Sequence, residues 1–291
     1  AHSSKSTSVI SGSQKLICDI LDYDENKKIS IAKYNVVVYD SVNNMICKGN
    51  YAYSSEKKHK LYITQTPTAM LVDNADTLYM HSDTIYATTT LSNEFETIEA
   101  YHHVKFYRSD IQGSCDSVFY NVADSLMTMY YTPIIWSEEN QFTADTIVMK
   151  LDSSGVKQIY FNNNAFISQK VDKNKFNQIN GKTAIVYLDG KNPLYSDIIG
   201  NAQSIYYLTE KDETGQETLL GVNVGIGSGI RIYFDKNREP IRIVTYTNPD
   251  MTTYPINELP DEKKLLKGFK WWQERRPIHV NDIYKHNESE K

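Results

Sequence analysis

The sequence of 291 residues lacks several features that mark common protein classes. It contains no run of 18 apolar residues, so no segment is predicted to cross a membrane as a helix. It also has no basic excess: 36 Asp and Glu against 31 Lys and Arg give a formal net charge of −5. Because nucleic-acid affinity depends on a basic surface that releases counterions, this balance argues against a nucleic-acid partner.

Cysteine is scarce, with only Cys18, Cys47 and Cys115 in the chain. None of them belongs to a Cys-x-x-Cys pair with histidines at zinc-binding spacing. A disulfide between Cys18 and Cys47 and a set of three unpaired thiols are both compatible with this spacing.

Catalytic motifs are also missing, since the chain has neither a Gly-x-Ser-x-Gly elbow nor a His-Glu-x-x-His motif. Adjacent residues of a strand point to opposite faces, so His102 and His103 are not predicted to bind one metal ion without a bulge. Asp76 and Asp83 imitate a glycosidase pair, but similar acids recur elsewhere and a turn role is favoured. We therefore expect a protein without catalytic residues, cofactor or metal.

What the chain does have is tyrosine, 22 residues of it, and short alternating runs rich in β-branched and aromatic residues. An acid, a hydroxyl residue and an aliphatic residue recur in the runs that begin at Asp76, Asp83, Asp116, Asp124 and Asp145. Steps of roughly 20 residues connect equivalent positions and indicate a repeated unit of two strands. The acids are expected to cap turns.

The sequence predicts three segments in order along the chain. Residues 1–15 are polar and serine-rich and are expected to form a flexible leader. Residues 16–284 contain no linker of Pro, Gly and Ser and are expected to form one continuous β domain, closed by a C-terminal segment over 258–284. Residues 285–291 are expected to be a frayed tail. The chain starts without methionine or an apolar signal core, which is typical of a trimmed or processed start.

Alternation also predicts which side chains point inward. An antiparallel winding directs one set of alternate residues toward the interior. That set comprises Leu78, Met80, Ile85, Val104, Phe106, Val118, Leu126, Ile147, Met149, Ile185, Ile205, Val222, Val224, Ile232 and Phe234. In an open groove they would contact lipid, and in a closed sandwich they would contact one another.

Several motifs together resemble the C-terminal part of the OstA-like proteins of Bacteroidetes. They are Gln112-Gly113-Ser114-Cys115-Asp116-Ser117, Asp124-Ser125, Pro133 with Trp136, Asn140-Gln141, Asp145-Thr146-Ile147, Phe176-Asn177-Gln178-Ile179-Asn180-Gly181-Lys182 and Arg276-Pro277. That family is similar to the LptA-like module of lipopolysaccharide export. The resemblance implies an all-β, elongated β-jellyroll with an open groove, placed in the periplasm. It also implies that the protein binds lipopolysaccharide or another acyl lipid, without catalysis, and stacks end to end with other β-jellyroll modules.

Two alternatives remain open beside this interpretation. The fold could be a β-sandwich or a β-solenoid, and the function could be that of a structural, glycan-binding or protein-binding scaffold of the cell envelope. Near the C-terminus, Trp271, Trp272, Arg275 and Arg276 are predicted to form a docking patch that closes one end of the winding, or a site for anionic headgroups.

Overall fold

In the computed structural model, the described residues are 2–3, 6–42, 44–72, 76–92, 94–152, 155–190, 192–211 and 217–286. The chain divides into two compact units. Unit 1 comprises Ala1–Tyr131 and Glu274–Lys291, and unit 2 comprises Thr132–Gln273. The two units are treated separately below.

Unit 1 is built from short and long strands with few other elements. Its strands are β1 (His2–Ser3), β2 (Thr7–Ser11), β3 (Gln14–Cys18), β4 (Ile20–Asp24), β5 (Ile29–Asp40), β6 (Met45–Ser55), β7 (Lys60–Thr64), β8 (Thr68–Val72), β9 (Thr77–His81), β10 (Thr84–Thr89), β11 (Phe95–Arg108), β12 (Ile111–Asn121) and β13 (Leu126–Tyr130).

Unit 2 continues the same pattern with longer strands. These are β14 (Ile134–Ser137), β15 (Asn140–Thr143), β16 (Thr146–Asp152), β17 (Gly155–Asp172), β18 (Lys175–Asp189), β19 (Asn192–Lys211), β20 (Glu217–Phe234), β21 (Pro240–Tyr246) and β22 (Asp250–Pro255). Short 3-10 helices cover Glu56–Lys58, Asp261–Lys263, Gln273–Arg275 and Val280–Tyr284. No helix among the described residues is long and apolar enough to cross a membrane. The all-β, antiparallel class predicted from the sequence is confirmed.

In each unit the strands form two half-sheets, because the long strands bend once and contribute to both. In unit 1 the first half-sheet contains β4, β7, β10 and β13 with one part of β5, β6, β11 and β12. The second half-sheet contains β2, β3, β8 and β9 with the other parts. In unit 2 the first half-sheet contains β16 and β21, the second contains β14, β15 and β22, and β17 to β20 contribute to both.

The bends are two-residue bulges inside the strand ladder. In β11 the register passes from Tyr101 directly to Val104, so that His102 and His103 face the single residue Asp116 of β12. Such bulges bend a strand and increase its twist. Register shifts of the same kind occur at Lys33/Val36, Asn162/Ala165 and Ile199/Ala202, and a wider shift occurs at Asn180/Thr183.

The bends use left-handed backbone conformations, which asparagine tolerates better than most residues do. Positive φ angles at or between consecutive strands occur at Tyr34, Asn35, Gln65, Thr66, His103, Tyr131, Thr132, Asn163, Asn164, Asn201, Thr247 and Asn248. Tyr131 and Thr132, between which the units divide, are two of these left-handed residues. Their sequence resembles that of a strand, so it contains no Pro, Gly and Ser linker at this point.

The recurring acids stabilise these bends and nearby turns. The amide of Asp83 donates to the carbonyl of His102 over 3.1 Å, and that of Asp145 donates to the carbonyl of Asn163 over 3.0 Å. The carboxylate of Asp145 accepts from the Asn164 side chain over 3.0 Å. At a turn, the Asp76 carboxylate accepts from the amide of Thr77. At Asp76 and Asp145 the carboxylates make the turn contacts that the sequence predicts.

The predicted segments can be compared with the described strands and units. Within the expected leader, β2 pairs with β3 through a tight turn at Gly12, whose φ of 57° suits glycine. A backbone ladder forms there although the leader is serine-rich and polar overall, because composition does not report backbone pairing. Residues 16–284 include parts of both units, and their organisation as one continuous domain stays a prediction. Most of the predicted tail, residues 287–291, and Ala1, Ser4 and Lys5 of the leader lie outside the described residues.

Candidate functional site

The inner face of the first half-sheet of unit 2 is an apolar surface. Residues directly opposite each other on neighbouring strands share a face, so pairing defines rows across the sheet. One row runs from Ile147 through Phe161, Ala184 and Ile198 to Ile230. All five side chains are buried. This row is the centre of the unit's core.

The neighbouring row reaches an exposed end. It runs from Met149 through the half-buried Ile159 to Val186, Ser196 and Ile232, which are buried like Met149, and then to Ile243 on the edge strand β21. Ile243 is 39% exposed. The apolar face is therefore covered along most of its length and uncovered at its last strand.

The second half-sheet of unit 2 has a matching row on its inner face. The row includes Phe142, Ile167 and Ile179, and it ends at Met251 on the edge strand β22. Phe142 stacks on Phe161 of the first half-sheet, with ring centroids 5.7 Å apart, which identifies this face as the inner one. Met251 is 49% exposed. We call Ile243 and Met251, with β21 and β22, the open end of unit 2.

The edges of the open end carry unused backbone groups. Over the described residues, β21 and β22 are each paired along one edge only, with β20. Ile241 of β21 adds further exposed apolar surface, at 66%. Unpaired strand edges with apolar side chains are templates for pairing with another chain.

The predicted inward residues of unit 1 occupy both half-sheets. Ile85 and Val118 are buried in the first half-sheet. Leu126 is half-buried and lies on the face opposite to the buried Met129. In the second half-sheet, the buried residues are Val104 and Phe106 and the half-buried ones are Leu78 and Met80.

In unit 2 the predicted set separates onto three surfaces. Ile147, Met149 and Ile232 lie in the two core rows described above. Ile185 lies on the opposite face from the buried Ala184, beside Asp197, and Phe234 is half-buried at the end of β20. Ile205, Val222 and Val224 lie on the outer face of the second half-sheet. Bulges explain the separation, because each one shifts the alternation on which the prediction depends.

That outer face carries an irregular C-terminal segment. Ile205, Tyr207 and Val222 form a buried cluster with Leu259, against which Leu266 also packs. Ile205 belongs to a lateral row that contains the buried residues Gln141, Ser168 and Gln178.

Two glutamines of this row hold the segment by its backbone. The Gln178 amide group donates to the carbonyl of Lys264 over 2.9 Å and accepts from the amide of Leu266 over 2.8 Å. Gln141 repeats this geometry, donating to the carbonyl of Lys270 and accepting from the amide of Trp272, both over 2.7 Å. Each glutamine therefore binds backbone groups two residues apart, as a residue of a parallel strand does. Buried irregular backbone needs such partners.

Unit 1 holds its own part of the C-terminal chain on a similar row. Thr68, His81, Lys105 and Ser114 are opposite one another on neighbouring strands, and all are buried. Tyr284 lies 2.9 Å from the Thr68 hydroxyl through its own hydroxyl and 4.9 Å from the His81 ring.

Lys105 and Ser114 complete this row. The Lys105 amine donates to the carbonyl of Lys285 over 2.5 Å, and Arg275 donates to Ser114 over 3.0 Å. Burial lowers the pKa of His81.

The predicted docking residues lie within the C-terminal segment. Trp271 is half-buried against Phe176, with ring centroids 5.1 Å apart. Arg275 is buried, and Arg276 donates to the side chain of Gln112 over 2.9 Å. Both guanidinium groups therefore bind neutral side chains of their own unit. The headgroup role of the arginines and the docking role of the tryptophans stay predictions.

The outer face of each first half-sheet carries stacked tyrosines. In unit 1, Tyr62 lies between Tyr53 and Tyr86, with centroid distances of 5.3 and 5.4 Å. In unit 2, Tyr187 and Tyr195 stack at 4.4 Å.

An ion pair adjoins the tyrosines of unit 2. Arg231 lies over the Tyr195 ring and binds Asp197 through two bonds of 2.6 and 2.7 Å. The hydrogen bonds from Arg231 lower the pKa of Asp197.

Sequence reasoning missed the glutamine row. Gln141 and Gln178 are completely or almost completely buried. Both lie in motifs of the family resemblance, but glutamine is mostly a surface residue, and those motifs do not indicate that these side chains bind the C-terminal backbone. The three cysteines are free thiols, which answers the disulfide question left open by the sequence. Burial raises the pKa of Cys115.

The comparisons with known proteins include a likeness to a solved structure. No family model and no curated protein matches the chain. The crystal structure of LptH from Pseudomonas aeruginosa, the LptA homologous periplasmic component of the lipopolysaccharide transport device, matches 47% of this chain and 75% of its own. The identity is 12% and the TM-score is 0.22.

Proposed function

We propose that the protein is a non-catalytic periplasmic module that binds the acyl chains of lipopolysaccharide, or of another lipid, during export to the outer membrane. The observation that carries the proposal is the open end of unit 2. There two facing, mainly apolar rows, which are buried or half-buried elsewhere, end at Ile243 and Met251 on strands with a free edge.

The chemistry of this end suits an acyl chain. An acyl chain makes no hydrogen bonds and gains about 25 cal/mol per Å² of apolar area removed from water. A contact of a few hundred Å² would supply several kcal/mol before the cost of ordering the chain. The free strand edges also suit a partner module of the same fold, added end to end by strand pairing.

Site-specific photo-crosslinking tests the lipid proposal. A photoreactive amino acid at Ile243 or Met251 is expected to capture lipid in a Gram-negative host. The matched control is the same amino acid at Arg242, the neighbour of Ile243 in β21, which points to the opposite face. Mass spectrometry of organic extracts from the purified protein identifies the lipid. Equal capture from Arg242, or no capture at either apolar position, would contradict the proposal.

The stacked tyrosines support a second candidate, a glycan-binding scaffold of the envelope. Tyr101, Phe119 and Tyr130 line a cavity of about 290 Å³ beside the tyrosines of unit 1, and aromatic faces pack well against amphipathic ligands. Bound carbohydrate without acyl lipid would favour this function. Replacement of Tyr62 and Tyr86 by Ser would then abolish binding, and crosslinking from Ile243 would be absent.

A further inference from the structure

Three potential metal ligands meet at a corner of unit 1. Asp83, His103 and His286 each offer one ligand atom, and these atoms all lie within 4.8 Å of one another. The Nδ1 atom of His103 is 3.0 Å from the Asp83 carboxylate. The rings of His103 and His286 meet edge to face at 4.7 Å between centroids. The three residues are far apart in sequence and converge only through the fold.

The backbone around the cluster fixes two of the three ligands. His103 is the left-handed residue of the β11 bend, with a φ of 53°. Asp83 lies between β9 and β10, where its amide binds the carbonyl of His102. The bulge thus interrupts the strict alternation that directs adjacent residues of a strand to opposite faces. As a result, His103 contacts the carboxylate of Asp83 and not the ring of His102. His102 binds Asp116 at 3.1 Å.

The third ligand belongs to the C-terminal chain. His286 directly follows Lys285, whose carbonyl accepts from Lys105. The chain is therefore held one residue before the cluster, so that His286 needs little further ordering to bind an ion.

We propose that Asp83, His103 and His286 bind one divalent transition-metal ion of the Zn²⁺ class. Two imidazoles and a carboxylate are a recurrent ligand set for such ions, and the carboxylate offsets part of the positive charge. Ligand atoms about 2.1 Å from a tetrahedral ion lie about 3.4 Å apart, so exposed side chains within 4.8 Å reach this geometry by small rotations. The ion would connect the C-terminal chain to the β11 bend.

The charges nearby are mixed. Lys105 contributes a positive charge that opposes a cation, while Asp83 contributes a negative one. The Lys105 amine is directed to the Lys285 carbonyl, so we expect the three ligands to outweigh its repulsion of the ion. Ions that prefer nitrogen ligands should bind at this site more tightly than Mg²⁺ or Ca²⁺, which prefer oxygen ligands.

Titration calorimetry with ZnCl₂ on the full chain, after chelator treatment, tests the site. We expect one ion per chain, and at least tenfold weaker binding in His286→Ala, in Asp83→Asn and in His103→Asn. Asn keeps the left-handed bend at position 103. The matched control is His102→Ala, which removes the adjacent histidine and should leave zinc affinity unchanged.

Cobalt and protease measurements give independent readouts. Co²⁺ should produce the intense visible absorption of a four-coordinate site in the parent protein and in His102→Ala only. Zn²⁺ should slow carboxypeptidase digestion past His286 in the parent and not in Asp83→Asn, which retains His286 itself. Zinc binding that is absent from the parent, or equally strong in His286→Ala, would overturn the proposal and indicate weak binding to scattered surface histidines at most.

Discussion

Replacement of Gln178 by Leu tests whether buried side-chain amides hold the C-terminal segment of unit 2. Gln178 is completely buried and supplies one hydrogen bond each to the carbonyl of Lys264 and the amide of Leu266. The loss of each bond should reduce the free energy that holds the segment in place by about 1 kcal/mol, so the loss of both should reduce it by about 2 kcal/mol. Leucine has a similar volume, so little packing energy should change.

The expected result is local. Two kcal/mol corresponds to a roughly 30-fold increase in the population of the detached segment. Hydrogen exchange followed by mass spectrometry should show faster exchange by that factor in peptides that contain Leu266, with little change in peptides from β16. Gln178→Glu should act similarly, because it places an oxygen opposite the Lys264 carbonyl in place of the donor.

Gln158→Leu is the matched control, because this half-buried glutamine lies in the first half-sheet and accepts a hydrogen bond from Tyr160. It should leave exchange in the segment unchanged. If Gln178→Leu exchanges at the parent rate near Leu266, or if the control accelerates it equally, the segment is held by apolar packing and the reasoning from hydrogen bonds is wrong.

Three further predictions follow from single residues. Hydrogen bonds from Lys285 and from two backbone amides lower the pKa of Asp282 from 3.8 to about 2. The Asp282 carboxylate should therefore stabilise the last helical turn above pH 4 and lose this effect as the pH falls from 4 to 2. Hydrogen exchange of the amides near the C-terminus measures the change, and Asp282→Asn should remove the pH dependence. Cys115 should resist alkylation at pH 8 until denaturant is added, because its thiol is buried and its pKa raised; rapid labelling of the native protein would contradict this. Gly181→Ala should lower the melting temperature by several degrees, because the added Cβ would lie 2.6 Å from a methyl carbon of Ile198. Gly190→Ala is the comparison variant, because at position 190 the φ is 59° and the space around the added Cβ is open, so this variant reports backbone strain without a clash.

Much of the fold can be predicted from the sequence because strand alternation and turn acids are local signals. Asp83 and Asp145 mark bends correctly, and Ile147, Met149 and Ile232 are core residues as the alternation requires. The facing of Ile185 and Leu126 cannot be predicted in this way, since bulges in neighbouring strands change which residues share a face.

The candidate sites depend on contacts between residues distant in sequence. Ile243 and Met251 have the same alternating pattern as core residues, and only their position on edge strands leaves them exposed. The cluster of Asp83, His103 and His286 requires the β11 bend and the path of the C-terminal chain, neither of which has a spacing signature.

The glutamine contacts of unit 2 have a consequence for how this sequence can change. Gln141 and Gln178 bind only main-chain atoms of the C-terminal segment. The side chain of Leu265, between two of the bound groups, is half exposed. Substitutions there, proline and glycine excepted, keep every one of these hydrogen bonds. The outward surface of the segment is therefore free to diverge between related proteins while its attachment stays constant, so it can acquire new binding specificities at little cost in stability.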